Sequence, residues 1–377
     1  MDFLYDDDER ALRDAARAFA AKELAPRAAE ADGNAAFPDG HMDALAAFGA
    51  MGLNLPEAFG GAGASAVGLA LAVEALAAGC AATASTVTAH FLATDAILLA
   101  GDAAQKTRYL PAAAEGRALG AFALTEPGAG SDPADMTMRA EPSDGGYRLY
   151  GAKHFISNAG SADFLVVFAK TAPEAGHRGI SAFIVARDTP GLSIGPAEAT
   201  HGIRASHAFP VQFDCSVPAE SRLGEEGSGF RTALMVLDRG RIETAALALG
   251  IAGAALEAAR AWVEERVVSG QPIANFQGIR WMVADMSTEL DAARLMTWRA
   301  ARLRQQGERF TREAAMAKLY ASEAAGRIAD GALQIHGGYG YTTALPLERY
   351  VRDARILRIY EGTSEIQRNI IARFELD

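Results

Sequence analysis

Between residues 117 and 227 the chain changes its periodicity, and that change constrains the fold more than any other feature of the sequence. Residues 1–116 carry apolar side chains at helical spacing: Leu12, Ala16, Phe19 and Ala20 share one face, and Leu45, Phe48 and Gly49 another. Pro26, Pro38 and Pro56 punctuate this block, and Gly60, Gly61 and Gly63 mark a loop. The spacing predicts long apolar helices over about 66–79 and 84–100. The middle block instead shows strand-like runs at 119–124, 147–150, 164–170 and 180–186. Val211, Phe213, Cys215 and Val217 alternate at period two, as a half-buried strand would. Asp144-Gly145-Gly146, between two such runs, predicts a hairpin turn. From 228 to 377 helical spacing returns, with Phe230, Ala233, Leu234 and Leu237 on one face and Ile328, Ala332 and Ile335 on another. Helices, then strands, then helices predict an α+β chain of three domains, 1–116, 117–227 and 228–377, the middle one a small barrel or sandwich. The same order argues against an alternating βαβ nucleotide-binding fold.

A chain of 377 residues can bury a core of that size. Its 36 Lys and Arg against 47 Asp and Glu leave a formal net charge of −11, which disfavours nucleic acid and anionic membrane surfaces as partners. The two cysteines, Cys80 and Cys215, have neither metal nor redox spacing and exclude a disulfide framework. The seven histidines show no ligand spacing, so no metal site is expected; His201 and His207 read as structural or surface groups. The N-terminus carries Asp6, Asp7, Asp8 and Glu9 where a secretory leader would carry Lys or Arg. The Ala-rich stretch 66–82 is interrupted by Glu74 and reads as a buried helix, not a membrane span. The expected location is the cytoplasm. Neither G-x-S-x-G nor H-E-x-x-H occurs, so hydrolase-elbow and zincin chemistry lack their signals.

Three segments can carry chemistry. Residues 124–133, Leu-Thr-Glu-Pro-Gly-Ala-Gly-Ser-Asp-Pro, follow a predicted strand. Pro127-Gly128 suits the centre of a type II turn, and Gly128 and Gly130 let backbone N–H groups approach a flat or anionic ligand. A plain connecting loop explains the same residues. Residues 334–341, Gln-Ile-His-Gly-Gly-Tyr-Gly-Tyr, again offer close backbone approach, or simply a helix C-cap. In 359–368, Ser364 and Gln367 form a capping-box pattern, so a helix is predicted to start at Ser364. That places Glu361 on the turn before a helix N-terminus, as a dipole-compensating charge or as a mobile general base.

Taken together the three segments, with Asp238-Arg239-Gly240-Arg241 and the pair Arg266 and Gln277, resemble the acyl-CoA dehydrogenase family over essentially the whole chain. The resemblance implies an N-terminal helical domain, a middle β-barrel and a C-terminal four-helix bundle, assembled as a homotetramer with FAD at a subunit interface. It implies that Phe122, Leu124, Thr125, Gly130 and Ser131 line the flavin, with Phe155, Ile156 and Ser157 beside the ring. Arg266 and Gln277 would hold the pyrophosphate and adenosine portion from a neighbouring subunit. Gln334, Ile335, Gly337 and Gly338 would approach the same cofactor by backbone, and Thr363, Ser364 and Glu365 would contact it near the helix start. Ser131, Asp238, Arg241 and Gly362 would touch the thioester's pantetheine arm. Glu361 would be the catalytic base, removing the α-proton of an acyl-CoA while the β-hydrogen leaves as hydride to the flavin. The implied product is a trans-2-enoyl-CoA, and the implied electron acceptor is an electron-transfer flavoprotein.

The sequence departs from the family pattern in places. Phe155 stands where Trp is common, Ser157 where Thr is common, and Ser269 where an aromatic is frequent. Region 85–99 contains no Arg or Lys, so a dicarboxylyl substrate lacks an obvious carboxylate partner there. Readings on the same fold are action on a carrier-protein-bound acyl group, desulfination or oxidation by O₂. A DNA-associated flavoprotein and a purely structural helical protein are the alternatives of a different class.

Overall fold

The computed structural model describes residues 5–376. Six α-helices come first: α1 (Asp7–Phe19), α2 (Ala28–Asn34), α3 (His41–Phe48), α4 (Ala66–Gly79), α5 (Ala81–Ala100) and α6 (Ala103–Ala114). The starts of α1, α4 and α6 are written in the sequence as side-chain caps. Asp6 accepts the Glu9 N–H at 2.7 Å while the Glu9 carboxylate accepts the Asp6 N–H at 3.2 Å, a reciprocal cap repeated by Asp102 and Gln105 at α6. Ser65 caps α4 by accepting the Gly68 N–H at 2.9 Å. Residues 67–77 are then buried all round, which an apolar helix without a polar face requires. The helix expected from 84 begins earlier, at Ala81. Only the extended Cys80, with φ −155°, separates it from α4.

The strands follow: β1 (Gly120–Ala123), β2 (Arg139–Ser143), β3 (Gly146–Ser157), β4 (Phe164–Lys170), β5 (Ile180–Ala186), β6 (Leu192–Ile194), β7 (Ala208–Pro218) and β8 (Arg222–Leu223). They form one sheet in the order β6-β7-β3-β2-β4-β5-β8, with β1 parallel to β4. Alternate residues of β4 and β5 separate into two cores. Leu165, Val167, Phe183 and Val185 join Ala121, Leu149, Val211 and Phe213 in an interior fed by β1, β3, β4, β5 and β7, so the sheet rolls around a common centre. Phe164, Val166, Phe168, Ala182 and Ile184 face outward onto helices. β2, β6 and β8 were not expected. β2 reads Arg-Ala-Glu-Pro-Ser and is mostly exposed, so it has almost no apolar period to detect. The hairpin at Asp144-Gly145 joins it to β3 as the turn residues predict.

The remaining helices are α7 (Gly229–Glu265), α8 (Gln277–Gln305), α9 (Thr311–His336), α10 (Leu347–Ile356) and α11 (Ser364–Leu376). α7 is the axis of the molecule and packs against α4, α5, α8 and α9. By length and composition α5 and α7 could each cross a membrane, yet 72% and 78% of their most apolar windows are buried inside the protein, which makes them core helices. Leu234, expected on the apolar face with Ala233, is instead exposed beside Met235, because the first turns of α7 are covered on one side only. A small hairpin, β9 (Val267–Val268) and β10 (Gln271–Pro272), links α7 to α8. Ser269 and Gly270, φ +52° and +79°, make its two-residue turn, which accounts for the absence of a bulky side chain there.

Candidate active site

The segment after β1 folds into a tight turn in which Glu126 and Ala129 exchange backbone hydrogen bonds at 3.2 and 3.1 Å. Gly128 does not adopt a positive φ, so the type II turn expected from Pro127-Gly128 does not form. The glycines serve in another way: a Cβ at Gly128 or Gly130 would meet nothing within 4 Å, so the backbone there faces open space. Phe122 and Thr125 are half-buried, Leu124 is buried and Ser131 is exposed.

Two buried groups hold this turn, Glu126 of the segment itself and Lys153, which no motif signalled. The Lys153 ammonium on β3 donates to the Leu124 carbonyl and to the Glu126 carboxylate, both at 2.9 Å. Glu126 also accepts from the Thr137 N–H and hydroxyl and from the Met138 N–H. Burial pushes the Glu126 carboxyl upward, but Lys153 and Thr137 outweigh it and hold the group below its usual range. Burial pulls Lys153 down to about 8, partly opposed by Glu126. The His154 N–H donates to the Thr125 carbonyl at 2.9 Å, so turn and strand are tied together. Immediately after it the β3–β7 register slips between Lys153 and Ile156. Phe155, at φ +55°, is thereby turned outward and 60% exposed, with Ile156 buried and Ser157 half-buried.

A second surface gathers the predicted residues from α7 and α9. A groove of about 550 Å³ is lined by Trp262, Arg266, Phe276, Ile335, Gly337, Gly338 and Tyr339 among others. Trp262 stacks on His336 with centroids 4.9 Å apart, and Arg266 lies over the Tyr339 ring at 5.7 Å. Gly337, at φ +59°, ends α9, and a Cβ at Gly337 or Gly338 would meet nothing within 4 Å. Gln334 and Gln277 are exposed beside this groove and do not line it. Nor do the residues of the β1 and β3 loops, so a single chain presents two separate sets. Tyr339 lies in the segment 334–341 marked by its glycines, whereas Trp262 and Phe276 carried no signal, because an aromatic side chain in a helix or loop has none of its own.

The third segment lies between α10 and α11. Helix α11 starts at Ser364 as predicted, but the capping box does not form. Thr363 Oγ1 accepts the Ile366 N–H at 3.3 Å instead, and the Ser364 hydroxyl donates to Glu323 at 2.8 Å. Gln367 turns inward, its Nε2 donating to the Glu361 and Gly362 carbonyls at 3.0 and 2.9 Å. Glu365 is exposed.

Glu361 has φ +55°, a strained value for a residue with a Cβ. Its Oε2 is buried without a hydrogen-bond partner, and a Cβ on Gly240 would lie 3.0 Å from it. Leu92 of α5 closes the same space. Burial pushes the Glu361 carboxyl up to about 7, against the pull of Arg241 and Lys318. Arg241, next to Gly240, is buried and paired with Asp238, which also accepts the Thr311 hydroxyl hydrogen bond at 2.6 Å. Two of the four expected pantetheine contacts, Asp238 and Arg241, are therefore engaged inside the protein, and the Arg241 charge faces the base. One turn along α7, Glu243 is buried with neither carboxylate oxygen hydrogen-bonded and with Arg304 at 3.6 Å. Burial, reinforced by Asp95, pushes it up to about 8. Region 85–99 lacks its own cation, but Arg239 reaches into it and pairs with Asp95 at 2.9 Å. Among the described residues no cluster of His, Cys, Asp and Glu could hold a metal.

Three family models of the acyl-CoA dehydrogenases match in chain order: the N-terminal domain over residues 6–117, the middle domain over 121–215 and the C-terminal domain over 227–376. The acryloyl-CoA reductase (NADH) of Anaerotignum propionicum is 46% identical over 99% of this chain and 95% of its own length. Butyryl-CoA dehydrogenase from Megasphaera elsdenii has a solved structure that superposes with a TM-score of 0.98 at 42% identity, covering all of both chains. A chain from the structural work on the electron transferring flavoprotein of Acidaminococcus fermentans matches with the same TM-score, identity and coverage. Matched from one end to the other by the models and by these relatives, the chain belongs to the acyl-CoA dehydrogenase family.

Proposed function

We infer that the protein is an FAD-dependent dehydrogenase of acyl-CoA thioesters, forming a trans-2-enoyl-CoA. The observation that carries the reading is the half-buried Glu361, whose Oε2 is buried and unpartnered beside Gly240 and Leu92 and whose acidity is moved to about 7. A carboxylate of that kind is poised to accept a proton near neutral pH.

The residues present fit FAD. Open backbone at Gly128 and Gly130 suits a flat ring, with Phe122, Leu124, Thr125, Ser131, Phe155, Ile156 and Ser157 around it. The groove of Trp262, Arg266 and Tyr339, with open backbone at Gly337 and Gly338, suits an adenosine and a pyrophosphate. Gln277 and Gln334 would flank that end, and Thr363 and Glu365 the α11 start. When bound, FAD supplies the acceptance of the substrate's β-hydrogen as hydride. The protein supplies the rest. Glu361 takes the α-proton, and its own backbone N–H, which donates to no protein group among the described residues, is free to stabilise charge on the thioester carbonyl. Leu92 and the side of α7 at Gly240 crowd the buried Oε2 of that carboxylate. Ser131 and Gly362 stand for the pantetheine arm.

The separation of the two cofactor surfaces on one chain supports a homotetramer in which FAD runs between subunits. The Acidaminococcus neighbour supports an electron-transfer flavoprotein as acceptor. The cytoplasm is the proposed location, and the domain boundaries are proposed between α6 and β1 and between β8 and α7. A short acyl group is the proposed substrate, on the strength of the butyryl-CoA dehydrogenase match. Because one relative is a reductase, the panel that tests the reading contains saturated and 2-enoyl thioesters of several lengths, on CoA and on carrier protein. Saturated short-chain acyl-CoA should bleach the yellow protein anaerobically; no bleaching by any thioester rejects the reading. Glu361→Gln should keep its FAD and lose turnover by about 10²–10⁴.

A further inference from the structure

The turn carrying Glu361 is gripped from behind by two side chains. Lys318 of α9 is fully buried, and its Nζ donates to the Gly362 carbonyl at 2.6 Å. Gln367 of α11, equally buried, donates to the Glu361 and Gly362 carbonyls. Both residues of the turn have positive φ, +55° and +85°. A residue with a side chain persists there only when its surroundings impose it. Drawing two successive carbonyls inward imposes it, and aims the Glu361 side chain at Gly240.

A neutral donor would suffice for that grip, as Gln367 shows. An ammonium is a costly choice, because it is buried and the hydrogen-bond partner of its Nζ among the described residues is a neutral carbonyl. Its charge finds its use in the Glu361 carboxylate, which it pulls toward the ionised form together with Arg241. We infer that Lys318 is a positioning residue for the base: it fixes the Gly362 carbonyl, which sets the direction of Glu361, and gives the buried carboxylate a counter-charge. This rests on Glu361 being the base.

The charged groups facing Lys318 are Glu361 on the turn, Arg241 on α7, Glu323 on its own helix and Glu365 on α11. Burial pulls Lys318 down to about 8; Glu361, Glu323 and Glu365 oppose this and Arg241 adds to it. Activity should therefore rise as Glu361 ionises and fall as Lys318 loses its proton, giving a bell with an alkaline limb near 8.

The experiment compares pH profiles of kcat/KM for the FAD-loaded wild type, Lys318→Met and Lys318→Gln, with Glu361→Gln in parallel. Lys318→Met should lower kcat roughly 10–100-fold through misdirection of the base. It should also move the acid limb upward by about one pH unit and abolish the alkaline limb. Lys318→Gln, which keeps a donor but no charge, should show the same limb changes with a smaller loss of kcat. FAD-bound variants with wild-type limbs would reduce Lys318 to a structural group. Should neither variant fold, a wild-type profile without an alkaline limb near 8 overturns the inference by itself. An inactive Glu361→Gln with unshifted Lys318 profiles sinks this inference alone, whereas an active Glu361→Gln sinks the base assignment with it.

Discussion

A methyl group at position 240 would displace the ends of two side chains. It would stand 2.7 Å from Leu92 Cδ2 and 3.0 Å from Glu361 Oε2. Glycine in mid-helix costs about 0.5–1 kcal/mol relative to alanine, so the site keeps a locally unfavourable residue where the carboxylate needs room. Gly240→Ala should accordingly fold with FAD bound and an unchanged or slightly higher Tm, yet lose kcat/KM by roughly tenfold or more through displacement of the base. Wild-type kcat/KM in that variant would mean the carboxylate has other room to occupy. Lys153 is the opposite kind of residue, adding a charge where none was expected. Its removal leaves Glu126 buried without its cation, a change that typically costs about 3–5 kcal/mol. Lys153→Met should lower Tm by several degrees and loosen FAD. A Tm equal to wild type would show that Thr137 and Met138 satisfy Glu126 unaided.

At the scale of elements, what was legible followed from periodicity. The period-two run from Val211 to Val217 is a strand with alternately buried residues, and the segments at 164–170 and 180–186 are strands with those bounds. What was not legible follows from long-range packing. Ser364 and Gln367 had the spacing of a capping box, but the Gln367 amide finds two strained carbonyls to satisfy and Ser364 finds Glu323. Likewise Pro127-Gly128 had the composition of a type II turn, but Lys153 and Glu126 set the backbone instead. The motif residues were visible because they are unusual in sequence; Lys153, Lys318 and Glu243 were invisible because their meaning lies in burial. Glu243 also governs how α7 responds to pH. Its acidity is raised on folding, so the folded chain binds more protons than the unfolded one between the ordinary carboxyl range and about 8. Its contribution therefore favours folding at low pH and is lost as pH rises through that window. Glu243→Gln, which cannot ionise, should flatten the decline of Tm between about pH 5 and 8 relative to wild type. Parallel Tm curves for the two proteins would place the titration elsewhere.

At the scale of the whole molecule, the separation of the two cofactor surfaces becomes decisive. The turn after β1 and the Phe155 bulge lie on the sheet, while the groove of Trp262, Arg266 and Tyr339 lies where α7, α8 and α9 meet. The helical surface also leaves Trp281 of α8 61% exposed and Val267 55% exposed, Val267 beside the exposed Val268 at the rim of the groove. If a second copy covers these residues and offers its groove to the first copy's flavin loop, cofactor retention and assembly are one equilibrium. Trp281→Glu would put a charge into that contact, and Arg266→Ala would remove the groove's cation without touching the sheet. The expectation is that Trp281→Glu runs as a smaller species in light scattering and loses FAD in proportion. Arg266→Ala should lose FAD at unchanged mass until the cofactor is gone, and added FAD should shift both proteins back toward the larger species. A monomer that retains one FAD per chain through dilution would show that a single copy closes the site alone, and the intersubunit arrangement would have to be abandoned.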